Sequence, residues 1–103
     1  MKLSNKKSLI CDNPIFFSPK DKEAFFEWIK KIECVENFSL EKDKVYLNLN
    51  KRRLSTINLS SLIGLLYRYK IDMHQLSRFL TSSNKKWFYD NKKAFWHKKV
   101  FKK

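Results

Sequence analysis

The stretch Val35-Glu-Asn-Phe-Ser-Leu-Glu-Lys-Asp-Lys-Val-Tyr-Leu-Asn-Leu49 holds two short apolar runs on either side of a polar cluster at 41–44. In the second run, Val45, Leu47 and Leu49 alternate with residues of a more polar kind, which is the period of a half-buried strand. The polar cluster predicts the turn of a β-hairpin. Because an isolated hairpin is only marginally stable in water, it must pack against a helix. The stretch therefore predicts an α+β domain.

A helix is predicted directly before the hairpin, over residues 19–33. Ser18 is a typical N-cap, and Pro19 stands at the first helical position, where its missing N–H costs nothing. Apolar residues then repeat at intervals of three and four and define one buried face: Phe25, Trp28, Ile29 and Ile32. Residues 1–17 have no such period and are predicted to form an irregular N-terminal arm.

Helices are also predicted after the hairpin. The first spans 58–70, with Asn58 or Ser55 as its N-cap. Gly64 lies inside it and costs about 1 kcal/mol relative to alanine, which indicates a close contact with its backbone. A third helix is predicted over 72–81. The C-terminal half is thus expected to be helical, and the chain to form one domain, 1–103.

Composition limits the classes of function. One glycine and two prolines disfavour an all-β fold, and they leave no glycine-rich loop for binding a nucleotide phosphate. The longest apolar run, Leu59–Leu66, is too short to span a membrane, and no apolar signal core follows the basic N-terminus. A cytoplasmic protein without membrane contact is therefore expected. Cys11 and Cys34 are expected to be reduced thiols, and no cofactor or metal site is predicted.

The formal net charge of +13 has two competing explanations. It can reflect an anionic partner. It can also reflect an AT-rich gene, because Lys, Asn, Ile and Phe are all abundant and all have AT-rich codons. The basic residues are mostly Lys. A surface selected to bind phosphate would contain more Arg, because its planar guanidinium group donates two hydrogen bonds to one phosphate. Both explanations stay open at this point.

Catalytic chemistry is not indicated. His74 and His97 are the two histidines, and neither has an evident partner that would orient it as a general base. A metal-free nuclease that uses His97 with Lys98 is the remote alternative. The chain is therefore predicted not to be an enzyme.

The strongest functional feature is the C-terminal segment 84–103, which contains eight lysines, one aspartate and six aromatic residues. A short helix is expected across 85–90. Three roles compete: binding of nucleic acid, binding of an acidic protein, and closure of the core by the aromatic rings. Each of the pairs Trp87-Phe88 and Phe95-Trp96 is expected to turn one ring inward and the other outward. The predicted partner-binding residues are Lys85, Lys86, Trp87, Tyr89, Lys92, Lys93, Trp96, His97 and Lys98, with Arg52 and Arg53 from the basic turn after the hairpin.

A second route to nucleic acid is a helix-turn-helix over 58–81. The junction between the two predicted helices is very short, and the second helix would present base-reading side chains: His74, Gln75, Ser77 and Arg78. The alternative is a plain packed α-hairpin.

Three runs of the chain carry a resemblance to a known class: Asn58–Leu80, Asn84-Lys-Lys-Trp-Phe88 and Phe95-Trp-His-Lys-Lys-Val-Phe101. They are similar to the small bacterial immunity proteins of contact-dependent growth inhibition and other polymorphic-toxin systems, over roughly residues 20–101. The resemblance implies a cytosolic protein that binds one cognate toxin domain and blocks its active site. Separately, the chain is expected to be a monomer. Immunity proteins against nucleases are often acidic, whereas this chain is basic. Its toxin partner should therefore present an acidic surface or be held mainly by apolar contacts.

Overall fold

The computed structural model describes residues 7–102, apart from the side chains of Lys7 and Lys51. The described elements include three strands and four α-helices in an α+β arrangement, with two short 3₁₀ helices at Lys51–Arg53 and His74–Phe79. In chain order, the strands and helices are β1 (Lys7–Asp12), α1 (Pro19–Lys31), β2 (Val35–Glu41), β3 (Lys44–Leu49), α2 (Thr56–Arg68), α3 (Lys85–Phe88) and α4 (His97–Phe101). The predicted α+β class, with an N-terminal helix, a hairpin and a helical C-terminal half, is confirmed.

The sheet is antiparallel throughout, with strand order β1-β3-β2. The central strand β3 buries Val45, Leu47 and Leu49, as its alternation predicts. The prediction of an irregular arm is wrong for residues 7–12, because this segment pairs with β3 and places Leu9 opposite Leu47. Its period was hidden by Ile10, an apolar residue on the outer face of the sheet. Residues 1–6 of the arm lie outside the described residues.

Helix α1 begins as predicted and ends two residues early. The hydroxyl of Ser18 accepts a hydrogen bond from the backbone N–H of Asp21 at 3.1 Å, which caps the first turn. Phe25 and Ile29 are fully buried in the core. Ile32 already has extended dihedral angles, so the chain leaves the helix at Lys31 and turns into β2.

Helix α2 is the most buried helix, and Ser55 is its N-cap, with its hydroxyl 3.2 Å from the N–H of Asn58. Asn58 is thus not the N-cap. Its side-chain amide instead donates to the backbone carbonyl of Arg53 at 2.6 Å, in a partly buried position. The neighbour of the Gly64 backbone is Trp28, but the contact is an ordinary one that does not require glycine. A Cβ atom there would lie 3.4 Å from the indole of Trp28 on α1.

The prediction of a third α-helix over 72–81 is wrong. Residues His74–Phe79 form a 3₁₀ helix instead, and the predicted helix at 85–90 is the single turn α3. The physical reason is a long-range contact of Gln75. Its side-chain amide lies 2.9 Å from both the N–H and the C=O of Ile10 on β1, so the segment folds to reach the sheet edge.

Candidate partner-binding surface

Helix α4 and the loop after α3 line a shallow surface recess of about 340 Å³ that is open to solvent. Three aromatic rings form its floor. The ring of Phe101 lies 5.0 Å from the rings of both Tyr89 and His97, and the Tyr89 contact is edge-to-face. Three lysines, Lys92, Lys98 and Lys102, form its rim. These six residues are called the basic aromatic recess below.

Packing beneath the recess holds α4 in place. Phe88 and Val100 are fully buried, and the ring of Phe101 stands edge-to-face on Phe88 at 4.9 Å. The backbone carbonyl of Val100 accepts a hydrogen bond from Nδ1 of His74 at 2.9 Å. A carbonyl only accepts, so this nitrogen carries the proton. The 3₁₀ helix at 74–79 is thereby tied to the helix that lines the recess.

His97 is fixed inside the recess in the same way. Its Nε2 lies 2.7 Å from the backbone carbonyl of Tyr89 and must donate to it. This bond uses the hydrogen-bonding capacity of Nε2 and sets the orientation of the ring. The imidazole therefore serves as a positioned aromatic surface with only Nδ1 able to accept a bond when the ring is neutral.

The rim of the recess is electrostatically unbalanced. Within residues 7–102, no carboxylate comes within ion-pair distance of Lys92, Lys98 or Lys102. Lys85 differs, because its ammonium lies 3.0 Å from the carboxylate of Asp90. Unmatched like charges around a small concavity create a positive potential that favours an anionic group.

The recess gathers part of the predicted binding set. Tyr89, Lys92, His97 and Lys98 line it together. The exposed residues Lys86 and Lys93 lie in the same C-terminal segment but do not line the recess, and Lys85 is compensated by Asp90.

Trp96 was predicted to contact a partner, and the structure contradicts this. It is buried, with 5% of its surface exposed, and packs 5.5 Å from Phe88. Trp87 is half-buried and lies parallel to Phe88 at 5.9 Å. The expectation that one ring of each aromatic pair turns inward and the other outward is confirmed for Phe95-Trp96, because Trp96 is buried and Phe95 is exposed. It is not confirmed for Trp87-Phe88, because Trp87 also packs against the core. Core closure therefore accounts for much of the aromatic content of the segment.

Arg52 and Arg53 belong to a different surface. They lie in the 3₁₀ helix after β3, directly before Leu54 and Ser55. Those two residues line a separate cleft of about 450 Å³ with Thr56 and residues of the 78–84 segment. The structure does not bring the two arginines into the recess.

Several residues of this surface were missed from the sequence. Phe101 and Lys102 follow His97 and Lys98 at helical spacing of four, which is the signal that places all four on one side of α4. Phe95 and Tyr67 were also missed. Their rings are 62% and 46% exposed and meet edge-to-face at 4.7 Å.

The charge of the chain is distributed unevenly along its length. Residues 1–43 contain eight basic and eight acidic side chains, whereas residues 44–103 contain fifteen basic and two acidic ones. The whole net charge of +13 therefore belongs to the part of the chain that contains the recess.

Both cysteines are free thiols buried in the core. Burial raises the pKa of the Cys11 thiol to about 12 and that of Cys34 to about 11, so both thiols stay protonated near neutral pH. Within residues 7–102, no group of three or more metal-binding side chains comes together.

The helix-turn-helix alternative is contradicted. The second α-helix is absent, because residues 74–79 form a 3₁₀ helix, and three of its four proposed base-reading side chains have other contacts. Gln75 is bonded to Ile10, Arg78 donates to the carbonyl of Ser8, and His74 donates to Val100. A side chain held on the edge of the sheet is not free to enter a DNA groove.

No helix in the described part of the chain is long and apolar enough to cross a lipid bilayer. Comparisons with protein-family models, with curated proteins and with solved structures find no match to this chain.

Proposed function

We propose that this chain is a non-catalytic cytoplasmic binding protein of the immunity type, which neutralises a cognate toxin domain by docking its basic aromatic recess onto an acidic surface. The observation that supports the proposal is the recess itself, where three lysines without an ion-pair partner among residues 7–102 surround three aromatic rings in contact. Aromatic rings are the most effective anchors of protein interfaces, and a charged rim supplies specificity and speed. The immunity class itself comes from the sequence resemblance.

The arrangement suits rapid capture of an acidic partner. Lysines on the rim attract an acidic surface before contact and accelerate association in a salt-dependent way. The three floor residues are held by contacts beneath them, and His97 is fixed by its bond to Tyr89. Binding therefore orders few side chains, which lowers its entropic cost.

The first experiment is affinity capture of the protein encoded next to this gene, with and without nuclease treatment. A one-to-one complex that survives nuclease supports the proposal. Binding that disappears with nuclease indicates a nucleic-acid partner instead. Protection of cells that express the captured toxin domain is the functional readout.

Matched charge variants locate the interface. The recess variant replaces Lys92, Lys98 and Lys102 by Gln, and the control makes the same change at three exposed lysines of α1: Lys20, Lys30 and Lys31. Both remove the same total charge, and Gln and Lys have similar helix propensities. The recess variant should weaken binding by about tenfold or more and flatten its salt dependence, while the control stays within about threefold. Equal effects of the two variants would count against a localised recess.

One observation favours nucleic acid as the second candidate. The exposed residues Tyr67 and Phe95 are in ring contact, and the ammonium of Lys99 lies 5.9 Å from the Tyr67 ring. Exposed rings beside a cation can stack on unpaired bases while the cation contacts phosphate. Titration of a labelled oligodeoxythymidine with wild type and Phe95→Ala tests this. An affinity that falls by about tenfold in the variant supports a stacking site, since one stacked base contributes about 1–3 kcal/mol.

A further inference from the structure

The two edge strands of the sheet differ in whether their outward backbone groups are hydrogen-bonded. On β1, the outward N–H and C=O of Ile10 are both bonded by Gln75, and the carbonyl of Ser8 accepts from Arg78. This edge is closed to further strands. Edge strands with unpaired backbone groups are sites where a further strand can be added. A further strand would therefore have to pair with the other edge, β2.

The edge formed by β2 is open. A two-residue turn joins β2 to β3, and Glu41 faces Lys44 across it. In such a hairpin the residues of the closing pair, here Glu41 and Lys44, are hydrogen-bonded to each other. Along β2, every second residue from Glu41 then bonds to β3, and the residues between them point their backbone groups away from it. Phe38 and Leu40 therefore direct their backbone N–H and C=O away from β3. Among the described residues, none bonds to these four groups.

Leu40 is exposed although it lies on the inner face of the sheet. Its partner across the hairpin, Val45, is buried, yet 63% of the Leu40 surface is open to solvent. On the same face, Phe38 packs 5.4 Å from Phe26 of α1. The core layer thus continues to the edge of β2 and stops there with an uncovered apolar side chain.

We propose that β2 pairs antiparallel with β2 of a second copy of this chain, around a twofold axis at Ser39, which joins the two sheets into one of six strands. This register places Phe38 opposite the partner subunit's Leu40, so the four outward backbone groups on each strand pair with each other. It also covers both exposed leucines. The proposal does not depend on the proposed toxin partner, and it replaces the monomer expected at the outset.

Charge and side-chain orientation favour this register over its neighbours. It sets Glu36 beside the hairpin turn of the partner subunit, where the partner subunit's Lys42 is the first turn residue. Twofold symmetry repeats this approach of opposite charges. An axis at Phe38 would set Glu36 opposite leucine, and an axis between two residues would oppose inner and outer faces. The irregularity between Val35 and Asn37 ends the ladder at Glu36. Residues 1–43 are net neutral, so two copies approach here without the repulsion of the basic half.

Sedimentation velocity over about 5–500 µM protein tests the proposal, because a weak dimer dissociates across such a range. Wild type should show a monomer–dimer equilibrium. Leu40→Lys should weaken it at least tenfold, since lysine on an edge strand opposes pairing. The control Ile57→Lys adds the same charge at a residue that is 78% exposed on α2 and should leave the equilibrium unchanged.

A charge swap tests the register. Glu36→Lys should weaken the dimer, and the double variant Glu36→Lys with Lys42→Glu should restore it to within about threefold of wild type, which is the behaviour of a directly coupled pair. Circular dichroism of each variant verifies folding. A chain that stays monomeric throughout the range, or a dimer that tolerates Leu40→Lys, overturns the proposal. A dimer that Leu40→Lys breaks but the swap fails to restore overturns the register.

Discussion

Replacing Gln75 by alanine should lower the free energy of unfolding by about 1–2 kcal/mol. The side chain makes three hydrogen bonds. Its Oε1 accepts from the N–H of Ile10 at 2.9 Å, and its Nε2 donates to the carbonyls of Ile10 at 2.9 Å and Asp72 at 2.7 Å. At about 1 kcal/mol each, the bonds would total about 3 kcal/mol. Water can replace part of them because the site is partly exposed, which reduces the expected loss.

Urea denaturation measures this loss. With a slope of about 1.5 kcal/mol per molar urea for a domain of this size, the midpoint should fall by roughly 1 M. Hydrogen exchange gives a local readout, because the amide of Ile10 loses its acceptor and should exchange faster in the variant. Ser77→Ala, on the same 3₁₀ helix, is the control and should change the free energy by less than about 0.5 kcal/mol.

Gln75→Glu separates hydrogen bonding from packing. At neutral pH the carboxylate can still accept from the Ile10 N–H, but its second oxygen would face two carbonyl oxygens with no proton between them. This variant should therefore be less stable than Gln75→Ala, and should recover as acid protonates the carboxyl group. If Gln75→Ala unfolds at the same urea concentration as wild type and Ile10 keeps its protection, the side chain does not hold the β1 edge.

Three further predictions concern the core and the charge. Gly64→Ala should raise the free energy of unfolding by about 0.5–1 kcal/mol, because alanine favours the helix and its methyl group would meet Trp28 at 3.4 Å, an ordinary contact; a lower melting temperature would contradict this. Cys11 and Cys34 should resist thiol reagents at pH 8 until the protein unfolds. Their raised pKa values mean that stability should fall as the pH rises above about 9 towards 12, since the thiols ionise first in the unfolded chain. Raising NaCl from about 20 to about 300 mM should increase the melting temperature by screening the +13 charge, and a decrease would show that ion pairs dominate.

Local signals predicted most of the fold. The alternation in β3 and the spacing in α1 each reflect burial against a neighbour close in sequence, and Ser18 and Ser55 mark helix starts through bonds within one turn. Strand β1 lacked such a signal. It pairs with β3 more than thirty residues away, and Ile10 breaks its alternation. Its outer edge is satisfied by Gln75, a contact that spans 65 residues and that no local pattern reveals.

The candidate partner-binding surface was predicted as a segment of the sequence, but the orientation of its side chains was not. Lysine and aromatic content marked 84–103, whereas the direction of each ring depends on where α4 begins. Because His97 is the first residue of α4, Trp96 faces Phe88 in the core and Phe95 faces solvent. Two adjacent aromatic residues have similar hydrophobicity, so their sequence alone cannot say which one is buried.

The charge distribution bears on the two explanations of the basic composition. An AT-rich gene would enrich lysine along the whole chain, and basic residues are indeed frequent in both parts. What distinguishes residues 44–103 is the loss of carboxylates, from eight in the first 43 residues to two in the remaining 60. Codon bias towards lysine does not remove aspartate and glutamate from one part only. The depletion leaves the lysines of the recess unmatched, while the β2 edge remains in the neutral part. The proposed partner contact and the proposed self-association therefore use regions of different charge, and one does not require the other.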